Sequence, residues 1–129
     1  MNDMIEIKFR AWNTENEEYI NPSDLVFRLD GHLFDRELDV EIHDNIVMEQ
    51  FTGLKDKNGV EIYEGDILKT DKVPNTIVGF GDTFEFMQEG YYGYYLEYIG
   101  LNKYCQLNNS IKYTSEVVGN IHQNKELLK

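Results

Sequence analysis

Oxygen-bearing side chains surround a glycine in the middle of the chain, within the segment QFTGLKDKNGVEIYEGDILK, and they raise the question of a calcium loop. A loop of the EF-hand type needs oxygen ligands at positions 1, 3 and 5, glycine at position 6 and glutamate at position 12. With Gly59 at position 6, Leu54 falls at position 1 and Gly65 at position 12, and neither side chain offers an oxygen. With Asp56 at position 1, the glycine falls at position 4. The spacing therefore argues against calcium, and we expect no metal and no cofactor.

A tight turn explains the same residues better. Asn58 and Gly59 adopt positive φ at low cost, which two- and three-residue hairpin loops require. After them, Val60 and Ile62 alternate with polar or amphipathic residues, as in a strand with one buried face. The pattern predicts a β-hairpin at Asn58-Gly59.

A second turn is predicted at Gly65 and Asp66, directly before the strand Ile67–Thr70. Gly65 permits a backbone conformation that other residues avoid, and the Asp66 carboxylate can accept backbone N–H groups. Both residues are therefore predicted to have structural roles.

Four carboxylates alternate with apolar residues in the segment DRELDVEI, and we expect them on one face of a strand: Asp35, Glu37, Asp39 and Glu41. Carboxylates two residues apart in a strand stand roughly 7 Å apart at their Cα atoms. Oxygens that bind one calcium ion must lie within about 5 Å of each other. A solvated face or a charged edge strand is the ordinary interpretation. A binding surface for a cationic partner is the functional alternative.

Residue types that support catalysis occur without a recognisable arrangement. The three histidines, His32, His43 and His122, lack metal-binding spacing, and the single Cys105 cannot form a structural zinc site alone. No serine lies in a G-x-S-x-G context, and no glycine-rich phosphate loop precedes a helix. We therefore expect a non-enzymatic protein, with a hydrolase as the weakest alternative.

The chain is strongly acidic, with 12 Lys and Arg residues, 24 Asp and Glu residues and a net charge of −12. Because nucleic-acid binding draws its affinity from basic residues that neutralise phosphates, we expect no direct nucleic-acid binding. The lone cysteine indicates a reducing, cytoplasmic compartment, and no apolar segment approaches the roughly 20 residues of a membrane span.

The segment EGYYGYYLEYIG places five tyrosines within eight residues. In a strand, Tyr92, Tyr94 and Tyr98 would share one face, and Tyr91 and Tyr95 would share the other. Core packing is the leading interpretation, followed by a protein interface and then by stacking on nucleic acid. Because several exposed tyrosines would form an unusual apolar patch, we expect a homo-oligomer with Tyr91 or Tyr95 near the interface, tighter at high salt than at low salt.

Strand patterns extend over most of the chain. IEIKFRAW alternates with period two, and Asp30-Gly31 lies between two apolar runs, which predicts a hairpin of Leu25–Leu29 with His32–Asp35. IKYTSEVVGNIH is predicted to be a further strand, and Asn124 is a candidate cap for a final helical turn in KELLK.

Three segments carry a family resemblance: IKFRAW near the start, QFTGLKDKNGVEIYEGDILK in the middle, and VVGNI followed by ELL near the end. In this order they resemble the YopX family of phage and prophage proteins. The resemblance implies a mainly β protein, a small β-barrel or roll whose second half resembles an SH3-like barrel. It implies no catalytic residues.

We therefore expect a single domain at residues 1–129, with an N-terminal β-hairpin region at 1–47, an SH3-like barrel part at 48–129 and one short C-terminal helical turn. The functional hypothesis is a phage or prophage accessory protein that binds a host or phage protein. The alternative is an acidic nucleic-acid mimic that occupies a DNA-binding protein, motivated by the net charge of −12 and the alternating carboxylates.

Overall fold

The computed structural model describes residues 6–42 and 44–129 and is mainly β. Its strands are β1 (Phe9–Asn13), β2 (Glu18–Tyr19), β3 (Leu25–Phe27), β4 (Leu33–Asp35), β5 (Val40–Ile42), β6 (Ile46–Lys55), β7 (Glu61–Tyr63), β8 (Asp66–Thr70), β9 (Thr76–Asp82), β10 (Tyr92–Tyr98), β11 (Lys103–Gln106) and β12 (Ser115–Asn120). The helical segments are a 3₁₀ turn at Pro22–Asp24, the helix α1 (Ile111–Thr114) and a 3₁₀ turn at Lys125–Leu128. The predicted fold class is confirmed, whereas the SH3-like detail of the second half and the single domain at residues 1–129 stay predictions.

Two compact units divide the chain. The N-terminal unit is residues 8–50, and the C-terminal unit is residues 51–129 together with the described residues 6 and 7. The strand β6 begins in the N-terminal unit and ends in the C-terminal unit.

The N-terminal unit contains two antiparallel arrangements. β1 pairs with β2 and with the first half of β6, where Ala11 lies opposite Met48. β3, β4 and β5 form a three-stranded sheet in chain order. The predicted hairpin at Asp30-Gly31 is confirmed, because Val26 lies opposite Phe34 and Gly31 has φ +93°.

The C-terminal unit is built on a five-stranded antiparallel sheet in the order β11-β10-β9-β8-β12. The end of β6 pairs with β7 around the Asn58-Gly59 turn, with Lys55 opposite Glu61. Its buried apolar cluster is formed by side chains from four strands and α1: Ile62, Leu68, Val78, Leu96 and Ile111. Burial of such side chains is the main stabilising contribution in a domain of this size.

Three sequence predictions need correction. The carboxylate segment is not one strand: β4 ends at Asp35, a turn follows, and β5 begins at Val40. The segment IKYT, expected in a strand, forms α1. The first strand begins at Phe9 rather than earlier, and Ile5 lies outside the described residues.

The predicted C-terminal turn is present at Lys125–Leu128, and Asn124 occupies its first flanking position. The Asn124 side chain does not cap that turn. Instead, its Oδ1 accepts the backbone N–H of Asn120 at 3.1 Å, which closes the preceding bend.

Within the described residues, no helix has the length and hydropathy of a membrane span.

Candidate functional site

The turn that resembled a calcium loop is a hairpin, as predicted. Gly59 has φ +82°, and the Gly59 N–H donates to the Asp56 carbonyl at 3.0 Å. The Asp56 carboxylate is buried, and its oxygens accept three backbone N–H groups: those of Asn58 at 2.8 Å, Val60 at 2.9 Å and Val117 at 2.9 Å. Asp56 therefore ties this turn to β12 and has a structural role.

The Asp56 pKa lies below its ordinary value of 3.8. Burial alone would raise it, but the hydrogen bonds from Val117, Val60 and Asn58, together with the positive charge of Lys57, outweigh the burial. The ionised form of Asp56 is thus the form that the fold stabilises. Sequence reasoning assigned the turn to Asn58 and Gly59 and missed Asp56, although an aspartate two residues before Asn58 is a known turn signal.

The second predicted turn is also confirmed. Gly65 has φ +89°, and its backbone donates to Val78 and accepts from Ile121. The buried Asp66 accepts the backbone N–H of Tyr63 at 2.8 Å. Both residues therefore belong to the scaffold of the C-terminal unit.

The four alternating carboxylates occupy different positions in the hairpin between β4 and β5. Asp35 accepts the backbone N–H groups of Glu37 at 2.9 Å and Leu38 at 2.8 Å, so it stabilises the turn. Asp39 has φ +53°, and Glu41 pairs with His32. The predicted carboxylate face is wrong, because the turn separates these residues.

An acidic cavity of about 760 Å³ lies in the N-terminal unit, and two of the four alternating carboxylate residues, Asp35 and Glu37, line it. Its lining includes one arginine, Arg36, and six carboxylate residues: Glu15, Glu18, Asp24, Asp35, Glu37 and Asp44. Arg36 is engaged with the backbone carbonyls of Ser23 and Leu25. Across residues 6–42 and 44–129, no group of three or more His, Cys, Asp or Glu side chains is arranged to hold a metal ion. His43 lies outside the described residues.

The tyrosine strand is β10, and its aromatic rings pack largely within the chain. Tyr95 lies over Gly79, where an added Cβ atom would meet the Tyr95 ring at under 3.0 Å. The Tyr95 ring contacts Phe86 at 5.0 Å between centroids, and Phe86 contacts Tyr104 at 4.4 Å. Burial is the main cause that raises the Tyr95 pKa, with a smaller contribution from Glu97.

Tyr91 is also held by its own chain. Its hydroxyl donates to the carbonyl of Tyr94 at 2.5 Å, and burial raises its pKa. Tyr92 differs from these residues, because 72% of it is exposed. Self-association through Tyr91 or Tyr95 stays a prediction.

A cleft of about 820 Å³ follows β11 in the C-terminal unit. Its lining comes from four segments: Val73 and Pro74, Phe86–Glu89 with Tyr91, Tyr98, and Leu101–Gln106. All four residues of β11 line it. The cleft therefore extends along the whole of β11, which is the edge strand of the five-stranded sheet.

The walls of this cleft combine apolar and hydroxyl groups. Val73 and Leu101 are 42% and 46% exposed and form apolar walls. The Tyr98 hydroxyl and the Cys105 sulfur lie 3.6 Å apart, and this hydrogen bond is the first cause that raises the Tyr98 pKa. The cleft therefore presents tyrosine hydroxyl groups and the charged residues Glu89 and Lys103 beside apolar side chains, a combination suited to binding a polypeptide.

Sequence reasoning did not find this cleft. It selected Tyr91, which lines the cleft, but it assigned Tyr91 to an interface without identifying β11. The signal in the sequence was the pair of segments EYIGLNKYCQ and DTFEFMQEGY, in which aromatic and apolar residues flank glycine-containing turns.

Comparisons with known proteins agree with this fold. The chain is similar in structure to protein EF1440 from Enterococcus faecalis, with 27% sequence identity and a TM-score of 0.54, over 98% of this chain and 100% of that one. It is also similar to protein yopX from Bacillus subtilis, with 19% identity and a TM-score of 0.51, over 94% and 97% of the two chains. A comparison with curated proteins found no match.

The family model described as YopX protein matches residues 8–129, which is nearly the whole chain. The segments IKFRAW, QFTGLKDKNGVEIYEGDILK and VVGNI lie within or at the edge of that range. The chain belongs to the YopX family.

Proposed function

We propose that this chain is a non-enzymatic accessory protein of phage or prophage origin, which acts in the cytoplasm of a host bacterium by binding another protein. The observation that carries the proposal is the cleft along β11, where an edge strand, apolar walls and hydroxyl groups meet. Edge strands with exposed apolar neighbours are recurrent sites of protein recognition.

The composition of the cleft supports protein recognition. Aromatic residues and methionine are enriched at protein interfaces, and here Phe86, Met87, Tyr91 and Tyr104 belong to one lining. The residues Val73 and Leu101 remain partly exposed. Burial of these apolar side chains by a partner would contribute favourable free energy at roughly 25 cal/mol per Å².

The experiment uses the tagged chain to recover partner proteins from the host. Recovery is compared between two variants, each of which replaces an exposed residue with aspartate. Leu101→Asp places a charge in the cleft, and Tyr113→Asp places one on α1, outside it. We expect Tyr113→Asp to retain the same recovered protein and Leu101→Asp to lose it. Equal recovery by both variants, or recovery of nucleic acid alone, would contradict the proposal.

A second candidate is an acidic nucleic-acid mimic, and the observation that favours it is the acidic cavity of the N-terminal unit. Carboxylates concentrated on one region can attract the basic surface of a DNA-binding protein. Replacing Glu15, Glu18 and Asp44 with their amides would then weaken recovery of such a protein and leave the effect of Leu101→Asp unchanged. Recovery that is insensitive to these three amides would exclude mimicry by this cavity.

A further inference from the structure

The backbone N–H and C=O groups along the outer edge of β11 indicate what kind of partner the cleft binds. We infer that the partner binds as an added β-strand: an extended, lysine- or arginine-bearing peptide that hydrogen-bonds to the outward backbone of Tyr104 and Gln106. This inference rests on the proposed function, because it names the partner and the binding mode for the same cleft.

The outward groups follow from the pairing of β10 and β11. Leu107 donates its backbone N–H to the carbonyl of Tyr94 at 3.3 Å, which continues the antiparallel register in which Leu96 lies opposite Cys105. Residues along an antiparallel strand alternate between those that bond to the neighbour and those whose N–H and C=O point away. The backbone groups of Tyr104 and Gln106 therefore point away from β10.

No strand covers that side of β11 among the residues that the structure describes, where the sheet order begins with β11. Tyr104 and Gln106 thus present two donors and two acceptors in a row, two residues apart. An extended polypeptide repeats its N–H and C=O groups at the same spacing, about 6.6 to 6.8 Å for two residues. A strand therefore satisfies all four groups together, which is the basis of recognition by strand addition.

The walls of the cleft favour this binding mode over hydration of the edge. Val73 and Leu101 flank the strand from two turns, and Phe86 packs against Tyr104 at 4.4 Å. Apolar neighbours lower the local dielectric constant, which strengthens the hydrogen bonds of a bound strand. Alternate side chains of that strand would contact the two sides of the cleft.

Charge favours a cationic peptide over a second copy of this chain. The lining holds one carboxylate, Glu89, and one ammonium group, Lys103. Glu97 lies directly opposite Tyr104 on β10 and the chain as a whole carries −12, so the surroundings of the cleft are acidic. Two copies with a net charge of −12 each would repel, and Lys103 at the start of this short edge strand is a residue type that discourages pairing between identical edges. Lysine or arginine side chains would also find the aromatic rings of Tyr98 and Tyr104 within the lining.

The test uses a library of random decapeptides selected against the full chain, followed by affinity measurements on a matched pair of variants. Gln106→Pro removes the outward N–H and leaves the bonds between β10 and β11 in place, since proline is tolerated on an edge where its nitrogen faces outward. Gln106→Ala keeps that N–H. We expect selected peptides to be rich in lysine and arginine, and to bind Gln106→Pro about tenfold more weakly than Gln106→Ala.

The peptide provides a second measurement that does not depend on how the protein variant folds. Methylation of every second backbone nitrogen retains all side chains but removes the donors along one edge of the peptide. We expect one of the two alternating methylation patterns to abolish binding and the other to preserve it. Equal affinity for both patterns, or for both Gln106 variants, would overturn strand addition.

Three other outcomes would overturn the inference. These are a selection that yields no binding peptide, a selection rich in aspartate and glutamate, and a dimer in sedimentation that Gln106→Pro dissociates, since the edge would then be occupied by a second copy. A host protein that is lost with Leu101→Asp but retained with Gln106→Pro would leave the proposed function standing and reject the strand. If Leu101→Asp and Gln106→Pro both retain that protein, the proposed function and strand addition are both rejected.

Discussion

The two units of this chain differ in how many apolar side chains they bury. In the C-terminal unit the buried apolar residues are Phe51, Ile62, Ile67, Leu68, Val78, Leu96 and Ile111. In the N-terminal unit they are Ala11, Trp12 and Leu33. Because burial of apolar surface is the main favourable contribution to folding, the C-terminal unit gains more stability from its core than the N-terminal unit does.

The N-terminal unit has a polar network between paired strands beside its few buried apolar residues. Arg10 and Glu49 lie opposite each other on β1 and β6, and the Arg10 Nε donates to the Glu49 Oε1 at 2.7 Å. The Tyr19 hydroxyl donates to the same oxygen at 2.8 Å, and the Arg10 guanidinium lies 4.7 Å from the centre of the Tyr19 ring. The buried Glu49 therefore connects all three strands of that arrangement.

This difference teaches that one chain can combine a unit with a large apolar core, which also buries hydrogen-bonded Asp56 and Asp66, with a unit whose few buried apolar residues lie beside a polar network around Glu49. Buried polar networks contribute less net stability than apolar burial, but they are costly to break in part. We therefore expect the N-terminal unit to open at a lower free energy than the β8–β10 sheet, as local stability commonly varies within one protein.

The largest effect is expected from truncation of the apolar core. Leu68→Ala should reduce the free energy of unfolding by about 3 kcal/mol, because Leu68 is fully buried and leaves a cavity in a packed cluster. Leu33→Ala, in the N-terminal unit, removes the same atoms where fewer buried neighbours exist and should cost about 2 kcal/mol. Hydrogen exchange should show Leu33→Ala reducing protection in residues 8–50 and leaving β8–β10 protected.

Equal loss of protection in both units after Leu33→Ala would contradict the comparison. It would mean that residues 8–129 unfold as one cooperative unit, in agreement with the single domain predicted from the sequence.

The next effect concerns Asp56 and uses the exposed turn at Asp30 as its control. Asp56→Ala removes the acceptor of three backbone N–H groups and should cost about 3 kcal/mol, at or just below the cost of Leu68→Ala. Asp30→Ala removes one exposed hydrogen bond, to the N–H of His32, and should cost about 0.5 kcal/mol. Chemical denaturation at neutral pH compares the two variants.

The contribution of Asp56 should depend on pH in a defined direction. Its folded pKa lies below the ordinary value of 3.8, so its stabilisation is complete above that value and is lost as pH falls through the folded pKa. The difference in stability between the wild type and Asp56→Asn should therefore narrow below about pH 4. A difference that is constant from pH 7 to pH 3, within the range where both proteins fold, would reject this assignment.

These turns also show what the sequence reveals locally. The sequence predicted the hairpins at Asp30-Gly31 and Asn58-Gly59 and the turn at Gly65-Asp66. It could do so because the ability to adopt positive φ depends on the residue type itself, and glycine has it. The carboxylate segment was mispredicted because a period of two fits a single strand as well as a tight hairpin. The deciding contacts are the two backbone N–H groups that Asp35 accepts.

The remaining features depend on contacts between distant residues. Asp56 bonds to Val117, 61 positions away, and no periodicity encodes that contact. The cleft along β11 depends on which strand ends the sheet, which is a property of topology and not of the segment KYCQ itself. The helix α1 had a local signal that was missed, since the Asn108 side chain accepts the backbone N–H of Ser110 directly before it.

A smaller effect is expected when the polar network of the N-terminal unit is broken. Glu49→Ala removes the acceptor shared by Arg10 and Tyr19 and should cost about 2 kcal/mol, whereas Glu37→Ala, in an exposed turn, should change stability by about 0.5 kcal/mol or less. The paired replacement Arg10→Met with Glu49→Leu should recover most of the loss, because it removes both charges from the partly buried site. A double variant as unstable as Glu49→Ala would show that packing, not charge, holds these strands.

The smallest effect compares one glycine from each unit at the same kind of turn. Gly31 and Gly59 have φ +93° and +82°, and an added Cβ atom at either position would meet nothing within 4 Å. Valine at each position should therefore cost about 1 kcal/mol or more through backbone strain alone, because a β-branched residue is disfavoured at positive φ.

Because the strain is matched, the two variants differ only in the unit that they destabilise. Gly59→Val should lower the midpoint of global unfolding, while Gly31→Val should mainly speed hydrogen exchange in β3 and β4. Equal shifts in the global midpoint would show that the N-terminal unit has no separate opening, and unchanged stability in both variants would show that neither turn requires glycine.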